Sequence, residues 1–394
     1  MIPYRSQIEE LVDGLLPEIR DIRQHLHAHP ELSLHEASTS RYIRARLGEL
    51  NMDIHKPCLS TDVVALLRGR SSGRNVTLRA DMDALPIHEP ALLPYHSLIE
   101  GVMHACGHDG HMAMLLAAAR VLTAVKDRIA GSVRFVFQPG EEIHAAGKDL
   151  VARGILDNPR PDAVIALHSW PGYPAGTIAS RPGQFMAAAD VYRLIIRGKG
   201  GHGSAPWKAV DPVFTAARVI TGLSLLPSKK IEAQEPVVIS TCSVHGGVSA
   251  NVIPDDIVLQ GSVRYFSRKV GDRIPALIEQ SVQAECSWTG AEYEMEYRRP
   301  YIPVINDHRV VGQCRRVAEQ YLGEGFWQDV QEPVMGSEDF SYYLEKNPGA
   351  MFFLGMGEDS PSLHSSAFDF NDEALRSGIL FLVFSTIDLL QGSR

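Results

Sequence analysis

Long apolar runs, an excess of basic charge and a regular cysteine pattern are all missing from this sequence. No run in its 394 residues is apolar for long enough to cross a membrane. Acidic residues outnumber basic ones, 47 to 38, and the resulting net charge of -9 argues against a nucleic-acid footprint. The five cysteines (Cys58, Cys106, Cys242, Cys286 and Cys314) are odd in number, widely spaced and never arranged as C-x-x-C. That speaks against a disulfide framework and for a reducing, cytoplasmic setting. The N-terminus mixes acidic and apolar residues like an amphipathic helix and lacks the basic start of a secretion signal. Tandem repeats and low-complexity linkers are absent too.

What is present is an alternation of strand-like and helix-like runs. "NVTLRA" (75–80), "SVRFVFQ" (132–138) and "DAVIALH" (162–168) read as buried strands, and 110–125 reads as a helix between the first two. This order predicts an α/β unit with a mostly parallel mixed sheet flanked by helices. The middle of the chain differs. "VYRLIIRG" (191–198), "PVVISTCSVHGG" (236–247) and "DIVLQGSVRYF" (256–266) alternate in polarity, with helical runs at 211–226 and near 273–286. They predict a smaller α+β unit whose sheet has one open face. "AMFFLG" (350–355) and a helix over 371–390 return to the first pattern. The expected arrangement is a discontinuous outer domain, 1–185 and 300–394, with an inserted domain at 186–299.

Polar clusters follow the predicted strands. Asp81 and Asp83 come after the first, Glu141 and Glu142 after the second, and His168 ends the third. The carboxyl ends of strands line the ligand crevice of an open α/β sheet. The segment "VMHACGHDGHM" (102–112) joins them with three histidines, a cysteine and an aspartate. Thiolate, imidazole and carboxylate together suit zinc or another first-row divalent ion better than magnesium or calcium. Two cations would bring a shared water near ionisation at neutral pH. One member of the Glu141–Glu142 pair would bind metal while its neighbour moves a proton. A rival reading makes Cys106 a nucleophile with His104 or His108 as base, but it leaves Glu141, Glu142 and His168 without a role. "GKGGHG" (198–203) fits a dinucleotide-binding fingerprint, yet Pro206 and Pro212 delay any helix, so it reads as a turn presenting His202. The histidine-rich stretch 24–36 reads as a helix end and a turn with a structural role.

Taken in order, "LRADMDALPI", "GVMHACGHDGHMA", "FQPGEE", "LHSWPGYPAGTI", "GKGGHGSAPWKAVDPV", "NVIPD", "MGSEDFSYYL" and "LHSSAFDFNDEAL" resemble the metallo-amidohydrolase family of hippurate hydrolases, auxin–amino acid conjugate hydrolases and bacterial N-acyl-amino acid deacylases. That family lies within the aminoacylase and carboxypeptidase-like superfamily. The resemblance implies a catalytic domain with two divalent metal ions per subunit (Zn, Mn, Co or Ni) and an inserted lid that forms a dimer or tetramer. It implies Cys106, His108, Glu142, His168 and His364 as metal ligands and Glu141 as general base and acid. Asp83 would orient a metal ligand. Asp81 is a weaker candidate for that role and stands where the superfamily usually has a metal-binding histidine. His202 would reach a neighbouring subunit's site and hold the developing oxyanion, while Asn251 and Arg264 would grip the substrate carboxylate. Trp207 and "HSSAF" depart from the family's usual residues near the expected acyl or side-chain pocket. The implied substrate is a small N-acyl amino acid, with neither nucleic acid nor membrane as partner. A dipeptidase or aminopeptidase, or a binding protein without catalysis, is the alternative.

Overall fold

The computed structural model describes residues 2–392, which form two compact units. The larger comprises the chain up to Phe185, Ile305–Glu332 and the stretch from Asp339 onward. Its eight-stranded sheet is centred on four parallel neighbours in the order Ala130–Gln138, Ser71–Asp81, Ala163–Trp170, Gly349–Gly355. Residues 76–81, 133–138, 163–169 and 349–355 of these strands are buried, so neither face meets water there. Antiparallel pairing appears only towards the edges, where Val63–Arg68 joins Ala130–Gln138 and Ile178–Ser180 joins Gly349–Gly355. The helices Arg5–Ala28, His108–Ala124 and Leu375–Gln391 share one core with the sheet, through residues such as Ile8, Met112, Phe135, Ile165 and Phe381.

The smaller unit comprises Met186–Val304 and Pro333–Glu338. Its antiparallel sheet runs in the order Val237–His245, Asp256–Tyr265, Ala188–Arg197, Glu292–Tyr301. Burial alternates along Asp256–Tyr265, as expected for strands packed on one face only. Leu194, Ile196, Leu259 and Val263 meet Val219, Leu223, Ile274 and Ile278 of the helices Pro212–Lys230 and Arg268–Thr289. Asp211 caps the first of these helices by accepting from the amides of Val213 and Phe214.

The insert continues beyond residue 299 because Tyr301 still pairs with Ala189 in the sheet. It also gains residues 333–338, since the Ala187 amide donates to the carbonyls of Val334 and Gly336. Glu292–Tyr301 was not singled out in the sequence because its solvent-facing positions are charged, as suits an edge strand. The last helix starts at Leu375, after a short turn over Asp372–Ala374 that Asn371 caps.

Candidate metal centre

The centre is built at the carboxyl ends of the parallel strands of the larger unit. The backbone turn at Gly107, with φ +79°, caps the helix His108–Ala124. A β-carbon there would stand 2.5 Å from Ser169 Oγ, so only glycine lets the 104–108 loop lie against the neighbouring strand end. The strand Ala130–Gln138 passes through a second left-handed glycine, Gly140, into the single helical turn Glu141–His144. His168 lies within Ala163–Trp170. His364 arrives on a separate loop, tied down by its amide to the Ala105 carbonyl at 2.8 Å.

These segments bring all five proposed ligands together. Ligand atoms of Cys106, His108 and His168 lie within 4.8 Å of one another, as do those of Cys106, Glu142 and His364 and those of His108, Glu141 and Glu142. Cys106, His108 and Glu142 each belong to two of these groups, so the clusters overlap. Cys106, His108, Glu141 and His168 are buried, whereas the His364 side chain is 52% exposed. His364 holds φ +64°, a left-handed conformation uncommon for a residue with a β-carbon. Among the described residues the non-glycine positions with positive φ are Leu34, Asn51, Ala145 and His364. Such strain persists where surrounding structure enforces it, often at functional sites.

Hydrogen bonds settle which ring nitrogens point inward. His108 donates from Nδ1 to the Asp83 carbonyl at 2.8 Å, and His168 donates from Nδ1 to the Ser169 carbonyl at 2.8 Å. Each therefore keeps the Nε2 lone pair for a ligand role. His168 Nε2 lies 3.5 Å from Cys106 Sγ. Asp83 does more than orient His108: its carboxylate accepts from the amides of both Glu141 and Glu142 at 3.0 Å.

Asp81 lies at the same centre, 3.8 Å from His108 Nε2, but both its oxygens are engaged by other side chains. One oxygen meets His111 Nδ1 at 2.6 Å and the other meets Arg79 Nη1 at 2.6 Å. The second nitrogen of His111 accepts the Ser169 amide at 2.7 Å. Both His111 nitrogens are thus engaged, and the pair braces the centre from behind. Sequence reasoning did not assign His111 or Arg79. The available signal was the three-residue spacing from His108, which puts His111 on the same helix face.

Electrostatics mark the centre as a cation site. Burial would raise the Asp81 carboxyl, but His108, His111 and Arg79 outweigh it and hold it well below the usual carboxylate range. Burial, followed by the carboxylates of Glu142, Glu141 and Asp81, pushes the Cys106 thiol well up. A thiol so placed is a poor nucleophile, which weighs against the cysteine-nucleophile reading. Burial would lower His108, yet Asp81, Asp83 and Glu142 push it up to about 10. The nearby Glu142 carboxylate raises His364. Crowded acids, a thiol and proton-seeking imidazoles are what compensating positive charge would relieve. Fit is also visible atom by atom. His108 Nε2 and Glu142 Oε1 are buried without a hydrogen bond and face each other at 3.7 Å. Buried polar atoms are seldom left so. The donor set and these two atoms fit a binuclear centre of first-row divalent ions.

In the smaller unit, the short ladder of Gly201–His202 with Val252–Ile253 brings His202 beside Asn251, whose carbonyl accepts the Gly203 amide at 2.8 Å. Both are exposed. His202 Nδ1 accepts from the Ser204 amide at 3.1 Å, which leaves its ring proton on Nε2. Only the three-residue 3₁₀ turn Pro206–Lys208 stands between Gly198–Gly203 and the helix Pro212–Lys230, so the glycine-rich turn does not open directly into the helix N-terminus that a dinucleotide needs. Arg264 is half-buried on Asp256–Tyr265 and donates to Ser337 Oγ at 3.1 Å.

The family model for peptidase family M20/M25/M40 matches residues 77–384. Thermostable carboxypeptidase 2 of Saccharolobus solfataricus is 35% identical over 384 residues, 95% of this chain and 95% of that one. An N-acetylcysteine deacetylase of Bacillus subtilis is 37% identical over 357 residues, 90% of this chain and 92% of the relative. Among solved structures, a dinuclear metal-binding peptidase of the M20 family from Bacillus subtilis superimposes with a TM-score of 0.84 at 32% identity, over 96% of this chain and 99% of the other.

Proposed function

This chain belongs to peptidase family M20/M25/M40 and is a metal-dependent hydrolase of it; from that premise we propose that it cleaves N-acyl amino acids to a carboxylic acid and a free amino acid. The observation that carries this reading is the convergence of Cys106, His108, Glu142, His168 and His364, with Glu141 in the same cluster. When bound by those five residues, two cations drawn from Zn, Mn, Co and Ni would polarise a carbonyl and acidify water.

The protein's own groups do the rest. Glu141 takes a proton from the attacking water as the new C–O bond forms, then delivers it to the nitrogen as the C–N bond breaks. The Asp83 carboxylate, accepting from the Glu141 and Glu142 amides, holds that acid in register. His202 donates its Nε2 proton to the developing oxyanion in the site of a neighbouring subunit of a dimer or tetramer; one such donor is worth ~3–4 kcal/mol in the transition state. Arg264 pairs its guanidinium fork with the substrate carboxylate, and Asn251 assists.

The deacetylase and carboxypeptidase relatives share one substrate feature with this reading, a carboxylate beside the scissile amide. No helix among the described residues is long and apolar enough to cross a membrane, and the cysteine pattern supports a cytoplasmic setting.

Two measurements test the proposal. Acetyl-, benzoyl- and arylacetyl-amino acids should release free amine in the metal-loaded enzyme, and unblocked dipeptides should not. Preference for the unblocked set would make it a dipeptidase or aminopeptidase. Glu141→Gln should keep its metal while turnover falls roughly 10²–10⁴-fold. Undiminished turnover in that variant would remove Glu141 from proton transfer.

A further inference from the structure

The turn over 29–36, between the helices Arg5–Ala28 and Ala37–Gly48, is hydrogen-bonded to Gly140 and to the Asp83 carboxylate that holds the Glu141–Glu142 segment. The Ala84 amide donates to the Glu31 carbonyl at 2.9 Å, anchoring the turn alongside the loop that carries Asp83. Two residues on, Ser33 donates its hydroxyl to the same Asp83 carboxylate that accepts the Glu141 and Glu142 amides. Glu36, fully buried, accepts from the Leu34 amide and from the Gly140 amide, each at 2.9 Å, through one oxygen. Its other oxygen accepts from Thr61 Oγ1 at 2.9 Å. The contact is also steric. A β-carbon at Gly140 would stand 2.9 Å from Leu34 Cδ2. Leu34 itself holds φ +65°, a conformation that a branched side chain adopts only when its surroundings enforce it.

Beyond closing its own turn through the Leu34 amide, the buried Glu36 carboxylate holds the amide of Gly140, the residue that immediately precedes Glu141. We propose that residues 31–36 form a positioning strap in which Ser33, through Asp83, and Glu36, through the Gly140 amide, fix the backbone that presents Glu141 for proton transfer. Neither touches substrate; both are positioning residues. The inference rests on the reading of Glu141 as the proton carrier. Its reach is large because a displacement of about 1 Å at a reacting group costs on the order of 10²-fold in rate.

The test uses the full-length, metal-loaded enzyme and an N-acyl amino acid that it turns over. Glu36→Ala should lower kcat roughly tenfold or more, with KM within about threefold and the parent's metal content. The acidic limb of its kcat/KM profile, which reports the proton carrier, should move by about half a pH unit or more. Burial pushes the Glu36 carboxyl up to about 7, so glutamine is a close mimic near neutrality and Glu36→Gln should restore most of kcat and the parent profile. Ser33→Ala, a near-isosteric change, should show the same pattern more weakly, and it keeps the proposal testable should Glu36→Ala not fold. A fall in thermal stability with unchanged kcat and pH profile in both variants would overturn the strap and leave a purely structural turn. Loss of metal, or a rise in KM at constant kcat, would overturn it as well. The two readings fail separately. If Glu141→Gln is inactive while the strap variants behave as parent, only the strap is wrong; an active Glu141→Gln removes the reading beneath it.

Discussion

At His27 both ring nitrogens face carboxylates, Nδ1 at 2.8 Å from Asp109 and Nε2 at 3.1 Å from Glu89. A neutral imidazole can donate through only one nitrogen, so the cation alone satisfies both partners. Burial disfavours that charge, but Asp109 and Glu89 outweigh it and push the residue up to about 9. The folded state therefore holds a proton that the unfolded chain releases near pH 6.5. The associated stability, on the order of 3 kcal/mol, is fully present below that value and is lost as pH rises through about 9. His27→Gln should be less stable than the parent at about pH 7, and the gap should narrow towards about pH 10 as urea denaturation follows it. A gap independent of pH would mean that His27 is neutral in the folded protein. The histidine-rich segment thus divides its labour. His27 locks its helix to Asp109, while Ser33 and Glu36, which look unremarkable in the sequence, reach Asp83 and the Gly140 amide beside the Glu141–Glu142 turn.

Among the elements, the loop before the helix His108–Ala124 decides most. Two proposed ligands, Cys106 and His108, flank Gly107, and the helix starts immediately after it. Gly107→Ala would place a β-carbon in the left-handed region, which costs ~1–2 kcal/mol, and against Ser169 Oγ as well. The denaturation midpoint should fall, and metal affinity measured by competition with a chelator should fall with it, because both ligands move with the turn. Unchanged affinity in a destabilised variant would separate the turn from the centre. The buried parallel strands and this helix were legible because apolar runs and strong helix formers extend over many residues. The short strands Asp53–Ile54, Ile178–Ser180 and Trp327–Asp329 carry no such pattern; pairing with a neighbouring strand alone makes them strands.

Across the whole molecule, the metal centre belongs to one of two units. Cations bound only by the folded state add RT ln(1 + [L]/Kd), about 4 kcal/mol at a thousandfold excess over Kd. Chelation should therefore loosen the larger unit selectively. Hydrogen exchange should accelerate over 104–112 and 138–146, while the sheet strands Ala188–Arg197 and Asp256–Tyr265 keep their protection. Equal acceleration in both units would show that the smaller one depends on the cations for its own fold.

Composition and pattern were enough to point to an α/β unit and a metal-ligand chemistry, because residue type and polarity period are local properties of the chain. His364 entered only by resemblance: a single histidine in "SLHSSAF" has no local feature that separates it from a surface residue. Which imidazole nitrogen faces inward, why Asp81 is held by Arg79 and His111, and how Glu36 reaches Gly140 were decided by tertiary structure alone. Each depends on groups far apart in the chain meeting in a space from which water is excluded, and no sequence period encodes that meeting.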